Sequence, residues 1–81
     1  MIRCDIHDYI EIACLYKIEI SLTLTSGEEV TGVASTTIID ARKQECIVIE
    51  RGDESASIVL DTIKTMTAVT ANPHFTSVDV H

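Results

Sequence analysis

Residues 17–25 read KIEISLTLT, an unbroken alternation of polar and apolar side chains. Side chains of a strand point to opposite faces in turn, so Ile18, Ile20, Leu22 and Leu24 share one face. Lys17, Glu19, Ser21, Thr23 and Thr25 share the other. A lone strand cannot bury a row of four large aliphatic side chains, so the chain is expected to build an antiparallel sheet with a covered face. Turn residues recur at short intervals and mark the rest of that sheet. Ser26-Gly27-Glu28 supplies a tight turn into a second strand, which starts near Glu29 and continues as VASTTII towards Asp40. Gly32 within that strand is expected to allow a sharp bend or a bulge.

The charged stretch DARKQE, 40–45, is expected as a loop. ECIVIER, 45–51, follows as a third strand whose apolar run predicts burial on both faces. Gly52-Asp53-Glu54-Ser55 turns the chain into a fourth strand, ASIVLD, 56–61. Asp61-Thr62-Ile63 forms a short turn before a fifth strand, KTMTAVT, 64–70, which Asn72-Pro73 ends. The tail HFTSVDVH alternates weakly and fits either an edge strand or a frayed end.

Upstream of this pattern the period changes. From residue 5 to about residue 16, Ile6, Ile10, Ala13 and Cys14 recur at helical spacing. Asp5 can serve as N-cap, and Asp8 reinforces the first turn through the positive end of the helix dipole. One helix followed by five or more closely spaced antiparallel strands predicts a mainly β fold with one N-terminal α-helix. Its simplest form is a small, partly open antiparallel barrel or sandwich with the helix over one end or face. At 81 residues the chain has room for one core, so residues 1–81 are expected as a single domain.

The segment CDIHDYIEIAC, 4–14, has cysteines at both ends and invites three readings. Metal binding would draw on Cys4, His7 and Cys14, but structural zinc takes four ligands with short paired spacings. In a helix Cys4 and Cys14 stand about 15 Å apart along the axis, from a rise of about 1.5 Å per residue. They can share neither an ion nor a disulfide, and Cys14 is expected to fill a small space under the helix. Catalysis finds no support. His7, His74 and His81 sit in no nucleophile turn, and the three glycines form no phosphate loop. No metal, cofactor or enzymatic activity is expected.

The third reading is a binding surface. At 100° per residue Asp5, Asp8 and Glu11 form an acidic ladder on the flank opposite Ile6, Ile10 and Ala13. Ile12 and Leu15 lie beside it, away from the core-facing stripe, and acids with adjacent apolar side chains suit a protein contact. The plainer alternative is that the aspartates cap the helix while Ile12 and Leu15 pack on the barrel rim. Thirteen acids against six bases give a net charge of −7. Such a surface repels nucleic acid and anionic membrane and favours a basic partner. Arg42-Lys43 is too small a basic group for a nucleic-acid patch. Arg51-Gly52-Asp53 spells an adhesion tripeptide but falls at a hairpin turn. Three cysteines and the lack of a secretory signal or membrane-length stretch predict a reducing cytoplasm with free thiols.

These residues carry a family likeness. CDxxDxxExAC (Cys4, Asp5, Asp8, Glu11, Ala13, Cys14) resembles the N-terminal helix of the Rof family of Rho-binding antiterminators. The likeness continues through Gly27-Glu28, Ala34-Ser35, Arg42-Lys43, Glu45, the strand IVIE and LDTIKTM, 60–66, and covers roughly residues 4–80. The resemblance implies an Sm-like fold preceded by a helix. It also implies a protein inhibitor of the termination factor Rho that occupies the N-terminal OB-fold region forming Rho's primary RNA-binding site. Carried over by position, Asp5, Asp8 and Glu11 are the leading Rho contacts, with Tyr9, Ile12 and Leu15 as apolar neighbours. Arg42 and Lys43 are a secondary set. No direct nucleic-acid or membrane binding is expected, and a monomer is expected. The rivals from other classes are an Sm-like RNA-binding module and a small thiol- or metal-responsive regulator.

Overall fold

A computed structural model describes residues 4–70, 73 and 75–80, the side chains of Cys4 and Asp5 excepted. Helix α1 (Cys4–Leu15) leads into strands β1 (Glu19–Leu24) and β2 (Glu29–Ile39). Strands β3 (Glu45–Arg51) and β4 (Glu54–Val59) follow. A short 3-10 turn (Leu60–Thr62) then leads to β5 (Ile63–Ala68) and β6 (Ser77–Asp79). The six strands form one antiparallel sheet in the order β4-β3-β2-β1-β5-β6, and it does not close. The expectation of a helix plus a partly open antiparallel sheet is met, with the tail supplying the sixth strand. No helix among the described residues is long and apolar enough to cross a membrane.

The helix begins one residue earlier than expected, so Asp5 lies inside its first turn rather than at the N-cap. Its Ile6, Ile10 and Ala13 are at most 2% exposed, and they share one core cluster with the alternating row Ile18, Ile20 and Leu22 that the period-two pattern identified. From β3 come Ile47 and Ile49, with Leu60, Ile63 and Met66 beside them, and Val30, Ala34, Phe75 and Val80 complete the cluster. Cys46 and Ile47, neighbours on opposite faces, are both buried, as the apolar run of that strand predicts, while Val48 is half-buried. Leu60 is no part of β4. It opens the 3-10 turn and is 2% exposed. It joins the same core cluster as Ile47 and Ile49.

The helix joins the sheet through one unusual residue. Lys17 adopts φ +52°, the left-handed conformation that ends many helices. There the Lys17 N–H bonds to Cys14 O at 3.3 Å, and the Ile18 N–H bonds to Ala13 O at 2.9 Å. Its ammonium donates to Ser35 O at 3.3 Å.

Gly32 has a different part from the one expected. The irregularity in β2 lies between Ala34 and Thr36, where the register against β3 shifts. Gly32 itself pairs in register with Ile20. What it permits is close approach: a Cβ there would stand 2.5 Å from Ile49 Cγ2 and 2.6 Å from Glu50 O. Strand β3 therefore folds over β2 at the one position without a side chain.

Candidate functional site

Strand β2 is much longer than β1. Their register ends at Glu19 with Val33, and the last backbone bond is Ala34 N–H to Ile18 O at 3.0 Å. Beyond that point β2 pairs only with β3, and α1 lies alongside it. Between helix and strand runs an open cleft of about 650 Å³. The helix contributes Asp8, Glu11, Ile12, Cys14 and Leu15, and the strand contributes Ser35, Thr36 and Thr37.

Asp8 and Glu11 are both exposed. Leu15 is 73% exposed, while Ile12 is half-buried against the core. The structure thus brings four of the expected contact residues to one wall of the cleft. Tyr9 is not among the cleft residues: its half-buried ring meets Phe75 edge-on, with centroids 5.9 Å apart and planes at 67°. Tyr9 thereby ties the C-terminal segment to the helix. Asp5 shares the helix with Asp8 and Glu11, but its side chain lies outside the described residues.

Cys14 does not sit sealed beneath the helix as expected; it is half-buried at the cleft. Partial burial pushes its thiol above the ordinary value, the nearby Lys17 charge opposes that, and Glu11 adds to it. Cys46 is buried, and both its burial and the adjacent Asp40 carboxylate push its thiol up. Both shifts favour the neutral thiol over the reactive thiolate. Among the described residues no group of three or more His, Cys, Asp or Glu could hold a metal ion. His74 and His81, weighed above as catalytic groups, lie outside the described residues.

Arg42 and Lys43 stand at the tip of the β2–β3 hairpin, both exposed. The tip is shaped by Asp40, whose Oδ1 accepts the N–H groups of Arg42 at 2.8 Å and Gln44 at 2.9 Å. Asp40 N–H bonds to Gln44 O at 3.0 Å and Lys43 N–H to Asp40 O at 2.9 Å, with Lys43 at φ +63°. The basic pair is therefore presented on a fixed turn. His7 Nε2 lies 3.6 Å from Glu45 Oε1, and Glu45 pairs with Ile39 at the base of this hairpin. The basic tip thus stands off the N-terminal end of the acidic helix. The sequence alone gave no sign of the His7–Glu45 contact, which joins residues far apart in the chain.

Comparison with known proteins identifies the family. Residues 1–80 match the family described as "Modulator of Rho-dependent transcription termination (ROF)". The protein rof of Escherichia coli (strain K12) is 32% identical over 62 residues, covering 76% of this chain and 73% of that protein. The protein rof of Shigella flexneri matches to the same extent. Among solved structures, YaeO bound to magnesium from Vibrio cholerae O395 superimposes with a TM-score of 0.85 at 39% identity. That match covers 89% of this chain and 94% of the other. The chain belongs to the Rof family of modulators of Rho-dependent transcription termination.

Proposed function

We propose that this protein inhibits Rho by occupying the N-terminal OB-fold region that forms Rho's primary RNA-binding site, so that RNA cannot enter. The observation that carries this reading is the pair of exposed acids, Asp8 and Glu11, standing beside Ile12 and Leu15 on one wall of an open cleft. An RNA groove in an OB-fold is basic and lined by stacking side chains. Carboxylates pair with its cations, and aliphatic side chains cover its stacking surface, which excludes RNA by occupancy. Asp5 extends the acidic row on the same helix. Arg42 and Lys43 are a secondary set, placed to meet acids at the border of the groove. With a net charge of −7 the chain has no need to touch RNA itself. It acts as a monomer in the cytoplasm, where Rho meets nascent transcripts, and needs no cofactor.

The test is RNA binding by Rho with and without the protein. Excess protein is expected to lower Rho's apparent affinity for RNA, and more so at low salt. Unchanged affinity would show that the mechanism is not competition. The Asp8→Lys variant, with a circular dichroism spectrum matching the parent, is expected to bind Rho at least about tenfold more weakly. Undiminished binding by that variant moves the contact off this helix.

A further inference from the structure

The same cleft has a second wall whose backbone, past the Lys17 bond to Ser35 O and a Thr36 Oγ1 bond to Thr37 O at 3.4 Å, has no main-chain partner on the cleft side among the described residues. Residues 36–39 form the end of β2, and β3 pairs with them on one side only. On the other side β1 has already ended, since its register reaches no further than Val33. Among the described residues, the turn and loop hydrogen bonds include no backbone partner for these four beyond the β3 ladder. Their side chains, Thr36, Thr37, Ile38 and Ile39, are all exposed. This is an open strand edge in the interior of the sheet order, created because β2 outruns its neighbour.

Natural edges are usually blunted by lysine, proline or an inward charge. Lys17 reaches the mouth of this edge, donating to Ser35 O at 3.3 Å, but residues 36–39 themselves carry none of these: the segment is uncharged and made wholly of β-branched residues, which favour extended backbone. The one bulge lies before it, between Ala34 and Thr36, and leaves the edge beyond unbroken. The carboxylates of Asp8 and Glu11 face this edge across the cleft. An extended chain laid there would make main-chain bonds to β2 and offer alternate side chains to the acids.

We infer that residues 36–39 receive an extended, basic segment of the partner protein as an added antiparallel or parallel strand, with its lysine or arginine side chains directed at Asp8 and Glu11. This rests on the proposal that the cleft is the Rho-binding surface, and it specifies the mode of contact. Strand addition explains how a small protein holds a groove built for flexible RNA: the main-chain bonds fix register, and the acids select a basic sequence.

The experiment is residue-resolved amide hydrogen exchange on the whole protein, alone and saturated with Rho. In the free protein, the amides of residues 36–39 that point away from β3 should exchange fast. In the complex those alternate amides should slow by about tenfold or more. Binding of Rho without that slowing overturns strand addition and leaves the inhibitor reading standing. Amides already slow in the dilute free protein would show that the chain covers its own edge. Slowing that tracks protein concentration without Rho would assign the edge to a second copy. Either outcome overturns the inference, and failure to bind Rho at all overturns both readings together.

Discussion

Replacing Gly32 with alanine should cost more than the loss of glycine's flexibility can explain. A Cβ at that position would stand 2.5 Å from Ile49 Cγ2, 2.6 Å from Glu50 O and 2.7 Å from Arg51 Cγ. The Arg51 methylene can swing away. The Ile49 side chain cannot, because it is fully buried, and Glu50 O belongs to the backbone that pairs with Val33. Relief therefore needs β3 to move off β2 along their shared register. Forcing a methyl group into a packed site costs about 1–3 kcal/mol. Gly32 has no positive φ, so alanine also regains about 0.4–1 kcal/mol by restricting the unfolded chain. The net loss should be about 1.3 kcal/mol. With a urea m-value of about 1 kcal/mol/M for so small a domain, the unfolding midpoint should fall by about 1.3 M. Gly27→Ala is the control: φ is +93°, nothing lies within 4 Å, and the cost should be only about 1 kcal/mol of backbone strain. A Gly32→Ala midpoint equal to or above the parent's, or a loss smaller than that of Gly27→Ala, would refute close strand approach as the reason for glycine.

Lys43 sits at φ +63° on the exposed hairpin tip. Lys43→Gly should raise stability by about 0.5–1 kcal/mol in urea unfolding, while any change in Rho binding reports its role as a secondary contact. The thiols give a pH prediction with a definite sign. Both Cys14 and Cys46 have folded values raised above the ordinary 9.0. Their contribution to stability is therefore complete below that value and is lost as pH rises through the raised folded ones. Thermal unfolding should be flat in this respect at neutral pH and should fall more steeply for the parent than for Cys46→Ala in the alkaline range. In a Cys4→Ser background at pH 7.5, a thiol-specific reagent should modify Cys14 slowly and Cys46 more slowly still. Fast labelling of Cys46 would contradict its burial.

How much of this was legible in the sequence depends on the range of the interactions. Alternation in residues 17–25 and helical spacing of Ile6, Ile10 and Ala13 marked the right buried faces, because each reports one element against a generic core. Asp8, Glu11 and Leu15 were placed outward for the same reason, and the structure has all three exposed. The misplacements came from strand against strand. Gly32 was expected to bend β2, yet the irregularity falls between Ala34 and Thr36, where no residue type announces it. Leu60 was read as strand because leucine says nothing of whether the backbone has already turned. The packing of Tyr9 on Phe75 is likewise invisible in the sequence, because the two rings are far apart in the chain. The second wall of the cleft depends on β2 outlasting β1, a difference in length that emerges only once register is known.

The junction at Lys17 has a consequence for how this chain tolerates change in length. One left-handed residue and the Ile18–Ala13 hydrogen bond gear the helix to the start of β1. Adding a single residue ahead of this gear, within the last helical turn, would rotate the preceding helix by about 100° and shift it by about 1.5 Å. Asp8 and Glu11 would then swing away from β2, and Ile6 and Ile10 would swing out of the core. Insertions ahead of the helix carry no such penalty. The spacing between the acidic row and Ile18 behaves as a phase that the fold cannot adjust, and a one-residue insertion there should be more damaging than any single substitution in the row.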